Sequence, residues 1–204
     1  MKIIIIIFGV LSITFFTIQI FAMRSQSNIE TYPYTVIKKY DAFEIRSYEA
    51  SLFTSVKLST SQYDDASRKG FSILAGYIFG GNDRNEKIAM TSPVAMSLED
   101  SMTVMFMVPK EMTREMMPKP SESQIEFIEE PAKTVAAISF GGWANNERIE
   151  EYKQQLMDAL DAQGIKYTNH FYFLGYNPPF EVFDRKNEII VELEPETLDL
   201  IENQ

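Results

Sequence analysis

The sequence predicts an α+β fold made of a duplicated βαββ unit, in which the two copies form one distorted, barrel-like sheet with two long helices. A strand pair around Phe43–Val56 is followed by a helix and two strands, and the same order returns at Glu126–Ile138, offset by about 82 positions. Each helical stretch ends before a glycine, Gly80 or Gly164. Solenoid arrays need three or more stacked units, so two copies with unlike loops predict one pseudo-twofold domain. A cleft where the copies meet is expected to bind a small ligand.

The first copy shows the alternation of half-buried strands at Tyr34–Lys39 and Phe43–Leu58. Its helix is predicted to begin at Ser61, with Asp64 completing a capping box. The core stripe of this helix recurs at three- and four-residue spacing and consists of Tyr63, Ala66, Gly70, Leu74 and Tyr77. Two more strands are predicted to close the copy, at Lys87–Leu98 and Met102–Pro109.

The second copy follows the same plan after a proline-containing loop at Glu111–Ser123. The core stripe of its helix consists of Ile149, Tyr152, Leu156 and Leu160. A strand is predicted at Phe171–Gly175, and an alternating strand at Glu188–Leu193 ends the copy. No low-complexity linker separates the copies, so one fused domain is expected over residues 34–194.

The ends of the chain are predicted to lie outside this domain. An apolar run at residues 3–21 follows Lys2, which is typical of a signal peptide or an N-terminal membrane anchor within residues 1–23. Both alternatives stay open, because the run is long for a signal peptide and the cleavage motif ending at Ala22 is imperfect. Either one predicts an exported domain, periplasmic or otherwise extracytoplasmic, attached to the membrane if the run is retained. Residues 24–33 are expected to form a tether and residues 195–204 an acidic tail.

Composition argues against several kinds of site. The chain has 204 residues and a net charge of −10 without a basic run, so nucleic-acid binding is not expected. The absence of cysteine excludes disulfides, thiolate metal sites and thiol catalysis. His170 is the single histidine, which excludes a multi-histidine metal site. We therefore expect a binding protein and no enzyme activity, although hydrolysis by a carboxylate pair stays open.

The first helix has a second apolar shoulder beside its core stripe, made of Phe71, Ala75, Ile78 and Phe79. At about 100° per residue, Arg68 lies at the edge of this shoulder. An apolar surface with one adjacent cation suits a flat hydrophobic ligand that bears carboxylates, because arginine can bind a carboxylate bidentately. The alternative is that the shoulder packs under a loop while Arg68 is a solvated surface charge.

Eight of the eleven methionines fall between Met90 and Met117. Met112 and Met116 lie in the long loop, where flexible thioether side chains can adapt to an irregular ligand. Three interpretations stay open: core filling with an apolar loop edge, an axial ligand for haem iron, or a site for monovalent copper. His170 is likewise either a haem ligand or a histidine at a strand start without a special role.

Five ordered segments make the chain resemble the SOUL haem-binding protein family from about Tyr34 to Leu193. The segments are Tyr40–Tyr48, Gly70–Ile78, Lys87–Val94, Phe140–Trp143 and Gly175–Phe180, and they are followed by Arg185 and Asn187–Ile189. The resemblance implies a duplicated fold with eight strands, related in shape to bacterial effector-binding domains. It also implies non-covalent binding of haem or another tetrapyrrole without an intrinsic reaction.

In this family the porphyrin is expected to lie against the first helix, with basic side chains near its propionates. Arg68 matches one such basic position and Phe71 an adjacent apolar position. Two further basic positions are Gly76 and Glu181 in this chain, and Ser47 replaces a histidine proposed as an axial ligand in some members. Taken together, the apolar shoulder, the loop methionines and the resemblance predict a groove formed by Arg68, Phe71, Ala75, Ile78, Met112 and Met116, without iron ligation and with Met112–Met117 as a mobile cover.

The leading interpretation is thus an exported protein that binds a tetrapyrrole in a groove along the first helix. Three alternatives follow it: a binding module for another amphipathic small molecule, a hydrolase on the related effector-binding scaffold, and a methionine site for copper. No metal site of the ordinary histidine and carboxylate kind is expected.

Overall fold

The fold was analysed in a computed structural model that describes residue 14, residues 29–178 and residues 181–197. Apart from residue 14, the predicted signal or anchor lies outside the described residues. The described elements follow in chain order: β1 (Tyr34–Lys39), β2 (Glu44–Tyr48), β3 (Ser51–Lys57), α1 (Tyr63–Ile78), β4 (Val94–Ser97), β5 (Thr103–Met107), β6 (Ile125–Glu130), β7 (Lys133–Gly141), α2 (Asn146–Ala162), β8 (Tyr167–Gly175) and β9 (Lys186–Leu193).

The strands form one curled antiparallel sheet in the order β1-β2-β7-β9-β8-β4-β5-β3-β6. Without β1 the order is symmetric about the β8–β4 pair, where Val94 lies opposite Gly175 and Ser97 opposite Tyr172. The outer strand of each half belongs to the other copy: β2 pairs with β7, and β6 pairs with β3. The predicted duplicated, pseudo-twofold α+β fold is confirmed, with nine strands in place of the implied eight because β1 extends one edge.

The sheet has two apolar faces, because successive side chains of a strand point to opposite sides. On β5, for example, Val104 packs in the larger cluster beneath both helices, while Met105 packs in the smaller cluster on the other face. On the larger cluster, α1 lies over β3 and β5, and α2 lies over β7, β8 and β9. The two helices thus cover opposite halves of one face.

The two helices meet at their N-terminal ends. The expected capping box at Ser61 and Asp64 is wrong, because α1 begins at Tyr63 and its N-cap residue Gln62 makes no side-chain capping bond. Instead, the Tyr63 amide donates to Asn146 Oδ1 at 2.7 Å, so a side chain of α2 caps α1. This bond joins the two copies across 83 positions of sequence.

The strand expected at Lys87–Leu98 is wrong in its first part, since β4 covers only Val94–Ser97. Pro93 has no amide hydrogen to donate to a ladder, and the preceding Ser92 pairs with the N-terminal segment at Thr31. The segment before β4 is therefore a loop, and it lies between α1 and the entry of the chain into the domain.

Both ends of the domain extend beyond the predicted boundaries. Tyr32 is buried in the smaller cluster, although the tether was expected to run to residue 33. At the other end, Thr197 is buried and its hydroxyl donates to the Lys166 carbonyl at 3.1 Å. Residues expected to be tether and tail thus contribute to the packed domain. Within the described residues, no helix is both long enough and apolar enough to span a bilayer.

Candidate functional site

The candidate site is built on the close packing of α1 against the sheet. The inner stripe of α1 is buried and contains Ala66, Gly70, Leu74 and Tyr77. A Cβ atom at Gly70 would lie 2.4 Å from Val104 Cγ2, which is closer than real contacts allow. Glycine at this position therefore lets the backbone of α1 pack closely against β5. This close packing sets the distance between the outer face of α1 and the sheet.

The apolar shoulder of α1 divides between the interior and the surface. Ala75 and Ile78 are buried, with 8% and 4% of their surfaces exposed, so they face the core and not an open groove. Phe71 is half-buried, with its ring centroid 5.4 Å from that of Phe106 in an edge-to-face contact. Phe79, which was assigned to the shoulder but not to the site, is 62% exposed. The accessible part of the shoulder is therefore Phe71 and Phe79.

Arg68 lies on the same outer side of α1, one turn before Phe71, and is exposed. Within the described part of the chain it makes no ion pair and no side-chain hydrogen bond. Gly76 lies two turns further along, where an added Cβ would meet nothing within 4 Å. The outer face of α1 thus has two exposed cations without a partner among the described residues, Arg68 and the adjacent Lys69, together with one partly accessible aromatic ring and open space.

The predicted methionines border this face on two loops. Met90 and Met112 are half-buried against the larger cluster, Met116 is 51% exposed, and Met117 is buried. A small cavity of about 10 Å³ lies between these loops and the helix and is lined in part by Ile78, Met90 and Met117. This volume suits about one water molecule, so the cavity does not hold a larger ligand.

The expectation that Met112–Met117 forms a mobile cover stays a prediction, although the end of this loop is hydrogen-bonded to α1 and to the turn that follows it. The Tyr77 hydroxyl donates to the Pro118 carbonyl at 2.8 Å, and burial raises the pKa of this hydroxyl to about 12. Arg84 Nη1 donates to the Met116 carbonyl at 2.9 Å. The Lys119 amide donates to Asp83 Oδ1 at 2.8 Å. These bonds hold residues 116–119 beside the C-terminal end of α1.

Ser47 and Glu181, where the sequence departs from the family pattern, and the single histidine His170 lie in different surroundings. Ser47 is on β2, where it pairs with Thr35 of β1 and Thr134 of β7. In the strand order, β2 belongs to the half of the sheet that does not contain β3 and β5, the strands beneath α1. Glu181 is buried and accepts from Asn177 Nδ2 at 2.9 Å. His170 is exposed, with Nδ1 3.9 Å from Glu99 Oε1. Among the described residues, none of these three side chains contacts Phe71.

The corresponding face of α2 is chemically different. Asn145 caps this helix by accepting from the Arg148 amide at 2.8 Å. Its outer side chains pair with one another, as in Gln154 with Asp158 and Gln155 with Glu151. Lys153 is 3.8 Å from Glu150 and lies over the Phe171 ring at 5.0 Å from its centroid. These outer side chains of α2 are therefore already paired within the fold.

A buried ion pair on the other face of the sheet was missed by sequence reasoning. Arg46 Nη1 and Nη2 donate to the two Glu188 oxygens at 2.9 and 3.0 Å, and this carboxylate has no exposed surface. Glu188 also accepts from Tyr176 at 2.6 Å, Ser139 at 2.8 Å and Lys186 at 3.0 Å. The alternation of the strands could have indicated this pair. Glu188 lies two residues before buried Ile190, and Arg46 two residues before buried Tyr48, so each points to the same face as a buried side chain.

The surroundings of this pair keep it charged. Burial alone raises the pKa of the Glu188 carboxyl, but hydrogen bonds and the charge of Arg46, with the bond from Tyr176, outweigh burial and bring it below its ordinary value. Burial lowers and Glu188 raises the pKa of Arg46, with the net effect upward. Burial and the Glu188 charge also raise the pKa of Tyr176. The network connects β2 to β9 and thereby stabilises the half of the sheet that α2 covers.

No metal centre of the ordinary kind is formed by the part of the chain that the structure describes. It contains no group of three or more histidine or acidic side chains placed to hold an ion. The outer face of α1, bordered by the methionine loops, is the candidate ligand surface because of its accessible aromatic ring and exposed cations.

Comparison with known proteins gives a family match over nearly the whole described domain. A family model described as SOUL heme-binding protein matches residues 29–192. Heme-binding protein 2 of Mus musculus is 33% identical over 158 residues, which cover 72% of this chain and 76% of that protein. Heme-binding protein 1 of Sus scrofa is 28% identical over 174 residues, which cover 79% of this chain and 92% of that protein.

Solved structures share the fold at low sequence identity. The EcmrR C-terminal domain superposes with a TM-score of 0.59 at 13% identity, covering 79% of this chain and 98% of that one. A hydrolase from Listeria innocua superposes with a TM-score of 0.54 at 9% identity, covering 77% of this chain and 94% of that one. At these identities the likeness concerns the fold alone.

Proposed function

The chain belongs to the SOUL heme-binding protein family, and from this membership we propose that it binds haem or a related tetrapyrrole non-covalently on the outer face of α1. Family membership supports tetrapyrrole binding in general. Its relatives are named for binding and not for catalysis, and we propose no enzymatic activity. The location on α1 is the finer part of the proposal.

One observation favours α1 over α2: Phe71 and Arg68 lie one turn apart with unused binding capacity. Phe71 offers the accessible part of its ring, and Arg68 has no partner within the described residues. A tetrapyrrole has a flat apolar ring and peripheral carboxylates. Burial of the ring against apolar side chains stabilises the complex, and the guanidinium can bind a carboxylate bidentately.

The residues around α1 fit such a ligand as a shallow surface. Phe71, Met112 and Met116 would contact the ring, and Arg68 would bind a propionate. Ala75 and Ile78, predicted as contact residues, act through the core by supporting the helix beneath Phe71. The tetrapyrrole itself supplies any redox chemistry of its metal. We propose that the iron receives no histidine ligand, since His170 is on β8 and Ser47 is on β2.

Absorbance titration tests this function. A chain lacking residues 1–23, checked for folding by circular dichroism, is titrated with haemin, metal-free protoporphyrin and copper(I). We expect saturable binding of haemin and protoporphyrin with similar affinity and no stoichiometric copper binding. Copper binding alone would support the methionine site instead. Binding of neither tetrapyrrole would overturn the proposal and favour another amphipathic ligand.

We also propose that the domain is exported and held at a membrane by residues 3–21. The supporting observation is the length of the apolar run, which is close to the roughly 20 residues needed to cross a bilayer. Mass spectrometry of the chain from the membrane fraction should find residues 1–23 intact. A mature chain beginning near Met23 would identify a cleaved signal peptide instead.

A further inference from the structure

The entry point of the chain into the domain lies beside the methionine loops. The Ser92 amide donates to the Glu30 carbonyl at 2.9 Å, and the Lys110 amide donates to Glu30 Oε1 at 2.9 Å. Met90 precedes Ser92 by two residues, and Met112 follows Lys110 by two residues. The chain therefore enters the fold between the two loops that border the candidate site.

The connection between the apolar run and this entry point is short. Residues 22–28 separate the run from the first described residue of the domain. Seven residues span at most about 25 Å when fully extended. A domain of this size is about 40 Å across. If the apolar run is in a bilayer, the side of the domain near Glu30 must face that bilayer, while the far side is beyond reach.

The same side has exposed apolar side chains. We call Phe79, Met112 and Met116 the methionine-loop surface. Phe79 and Met116 are among the large apolar residues with more than two fifths of their surface exposed. Arg84, in the turn after α1, donates to the Met116 carbonyl, so the two loops that present Phe79 and Met116 are joined. Single exposed apolar residues are ordinary, but a joined group at the chain entry suits contact with lipid.

Charge distribution disfavours the opposite orientation, in which α2 would face the bilayer. The two loops, residues 79–93 and 108–124, together have a net charge of zero, whereas the whole chain has a net charge of −10. Their five basic side chains are Arg84, Lys87, Lys110, Arg114 and Lys119. Their five acidic side chains are Asp83, Glu86, Glu111, Glu115 and Glu122. By contrast, α2 has two basic and five acidic side chains, a balance of −3. Anionic headgroups attract nearby lysine and arginine and repel acidic surfaces.

Elsewhere in the described residues, the exposed large apolar side chains are Val36 and Ile37 on β1, and Trp143, Val182 and Phe183. Ile37 is seven residues beyond Glu30 in an extended stretch, at about 3.3 Å per residue, and so lies some 20 Å from the entry point. The methionine-loop surface begins two residues from the segments bonded to Glu30.

We infer that the methionine-loop surface is the face of the domain that lies on the lipid bilayer, which places the candidate site at the membrane. This inference rests on the membrane anchoring proposed above and not on the identity of the ligand. Its partner is a bilayer surface containing anionic lipid. A hydrophobic ligand dissolved in that bilayer would then reach Phe71 without crossing water.

Site-specific fluorescence tests the orientation in the absence of any tetrapyrrole. The chain contains no cysteine, so Met116→Cys, Ile37→Cys and Glu151→Cys each provide a single labelling site. The intact chain is reconstituted in vesicles of phosphatidylcholine and phosphatidylglycerol, and each site is labelled with an environment-sensitive dye. Lipids bearing a nitroxide on the acyl chain then quench dyes that contact the bilayer. We expect most of the fluorescence to be lost at position 116 and little at positions 37 and 151.

A charge-reversal variant provides the second measurement. Lys87→Glu combined with Lys110→Glu should reduce quenching at position 116, whereas Lys166→Glu, an exposed lysine after α2, should leave it unchanged. Equal quenching at positions 116 and 151, or stronger quenching at position 37, would overturn the inferred face. Failure of the intact chain to float with vesicles would overturn it as well, while leaving tetrapyrrole binding untouched.

Discussion

The two halves of this duplicated domain have the same fold but opposite surface chemistry. On the first half, α1 has an unpaired Arg68 and an accessible Phe71, and its own N-cap residue makes no side-chain bond. On the second half, α2 is capped by Asn145 and its outer polar groups pair with one another. The sheet beneath α2 is further fixed on its other face by the Arg46–Glu188 pair.

This difference shows how a duplicated fold can divide its tasks. The half under α2 is stabilised by internal polar contacts, which leave few groups for a ligand. The half under α1 depends on close apolar packing at Gly70 and leaves its outer groups unused. The predictions below test this division, beginning with the change expected to have the largest effect.

Removing the buried carboxylate should damage the second half most. We expect Glu188→Gln to lower the free energy of unfolding by about 3–5 kcal/mol, because Arg46 is left buried without its counter-charge. The matched control is Glu126→Gln on β6, an exposed carboxylate that should change stability by less than about 0.5 kcal/mol. Urea denaturation measures both. Equal small effects would show that the ion pair does not distinguish the halves.

The same carboxylate gives a pH dependence of known sign. The pKa of Glu188 in the folded state lies below its ordinary value of 4.5. The contribution of the Glu188 carboxylate to the free energy of unfolding is therefore fully present above pH 4.5. This contribution is lost as the pH falls through the lower folded-state pKa. Unfolding measured from neutral pH downwards should show a steeper loss below pH 4.5 in the native chain than in Glu188→Gln. Parallel curves for the two chains would contradict this assignment.

Phe71→Asp is the most direct test of the first half. It removes apolar contact worth about 1.5–3 kcal/mol and adds a charge that repels propionates, so tetrapyrrole affinity should fall by roughly ten- to a hundredfold. Met157, which is half-buried at the matching angle around α2, provides Met157→Asp as the control for general destabilisation. Similar losses of stability in both variants, with loss of haemin binding only in Phe71→Asp, would place the site on α1. Loss of binding in Met157→Asp alone would place it on α2.

Sequence reasoning predicted the architecture well because the repeat is a property of the whole chain. The order of elements, both core stripes and the division into two copies required only periodicity and a constant offset. The site was predicted less well. Arg68 and Phe71 lie at the surface, but Ala75 and Ile78 are buried, because a helical projection gives the angle of a residue and not the height of the neighbouring loop.

The other errors share one physical cause, which is contact between segments distant in sequence. Asn146 caps α1 from the other copy, and Thr31 pairs with Ser92 where a strand was expected. The Arg46–Glu188 pair joins residues 142 positions apart. No local pattern in a single sequence specifies these partners, although the in-phase alternation of Glu188 with buried residues was a usable signal.

Gly70→Ala tests whether α1 depends on close approach to β5. The added methyl group overlaps Val104, and the cost of overpacking should exceed the gain in helix propensity, for a net loss of about 1–2 kcal/mol in unfolding free energy. Gly76→Ala is the matched control on the same helix, since its Cβ meets nothing within 4 Å. It should stabilise the chain by about 0.5–1 kcal/mol. Stabilisation by both changes would show that α1 can move away from the sheet without cost.

The smallest expected effect separates the two cations that occupy comparable faces of the helices. Arg68 has no partner within the described residues, so Arg68→Ala should leave stability nearly unchanged while weakening tetrapyrrole binding by about 0.5–2 kcal/mol, a few-fold to thirtyfold. Lys153 already contacts Glu150 and the Phe171 ring, so Lys153→Ala should affect stability slightly and binding hardly at all. Because a contact with propionate is ionic, the affinity difference between native chain and Arg68→Ala should shrink as salt is added. If Lys153→Ala weakens binding and Arg68→Ala does not, the ligand lies on α2, and the division between the two halves is the reverse of the one proposed.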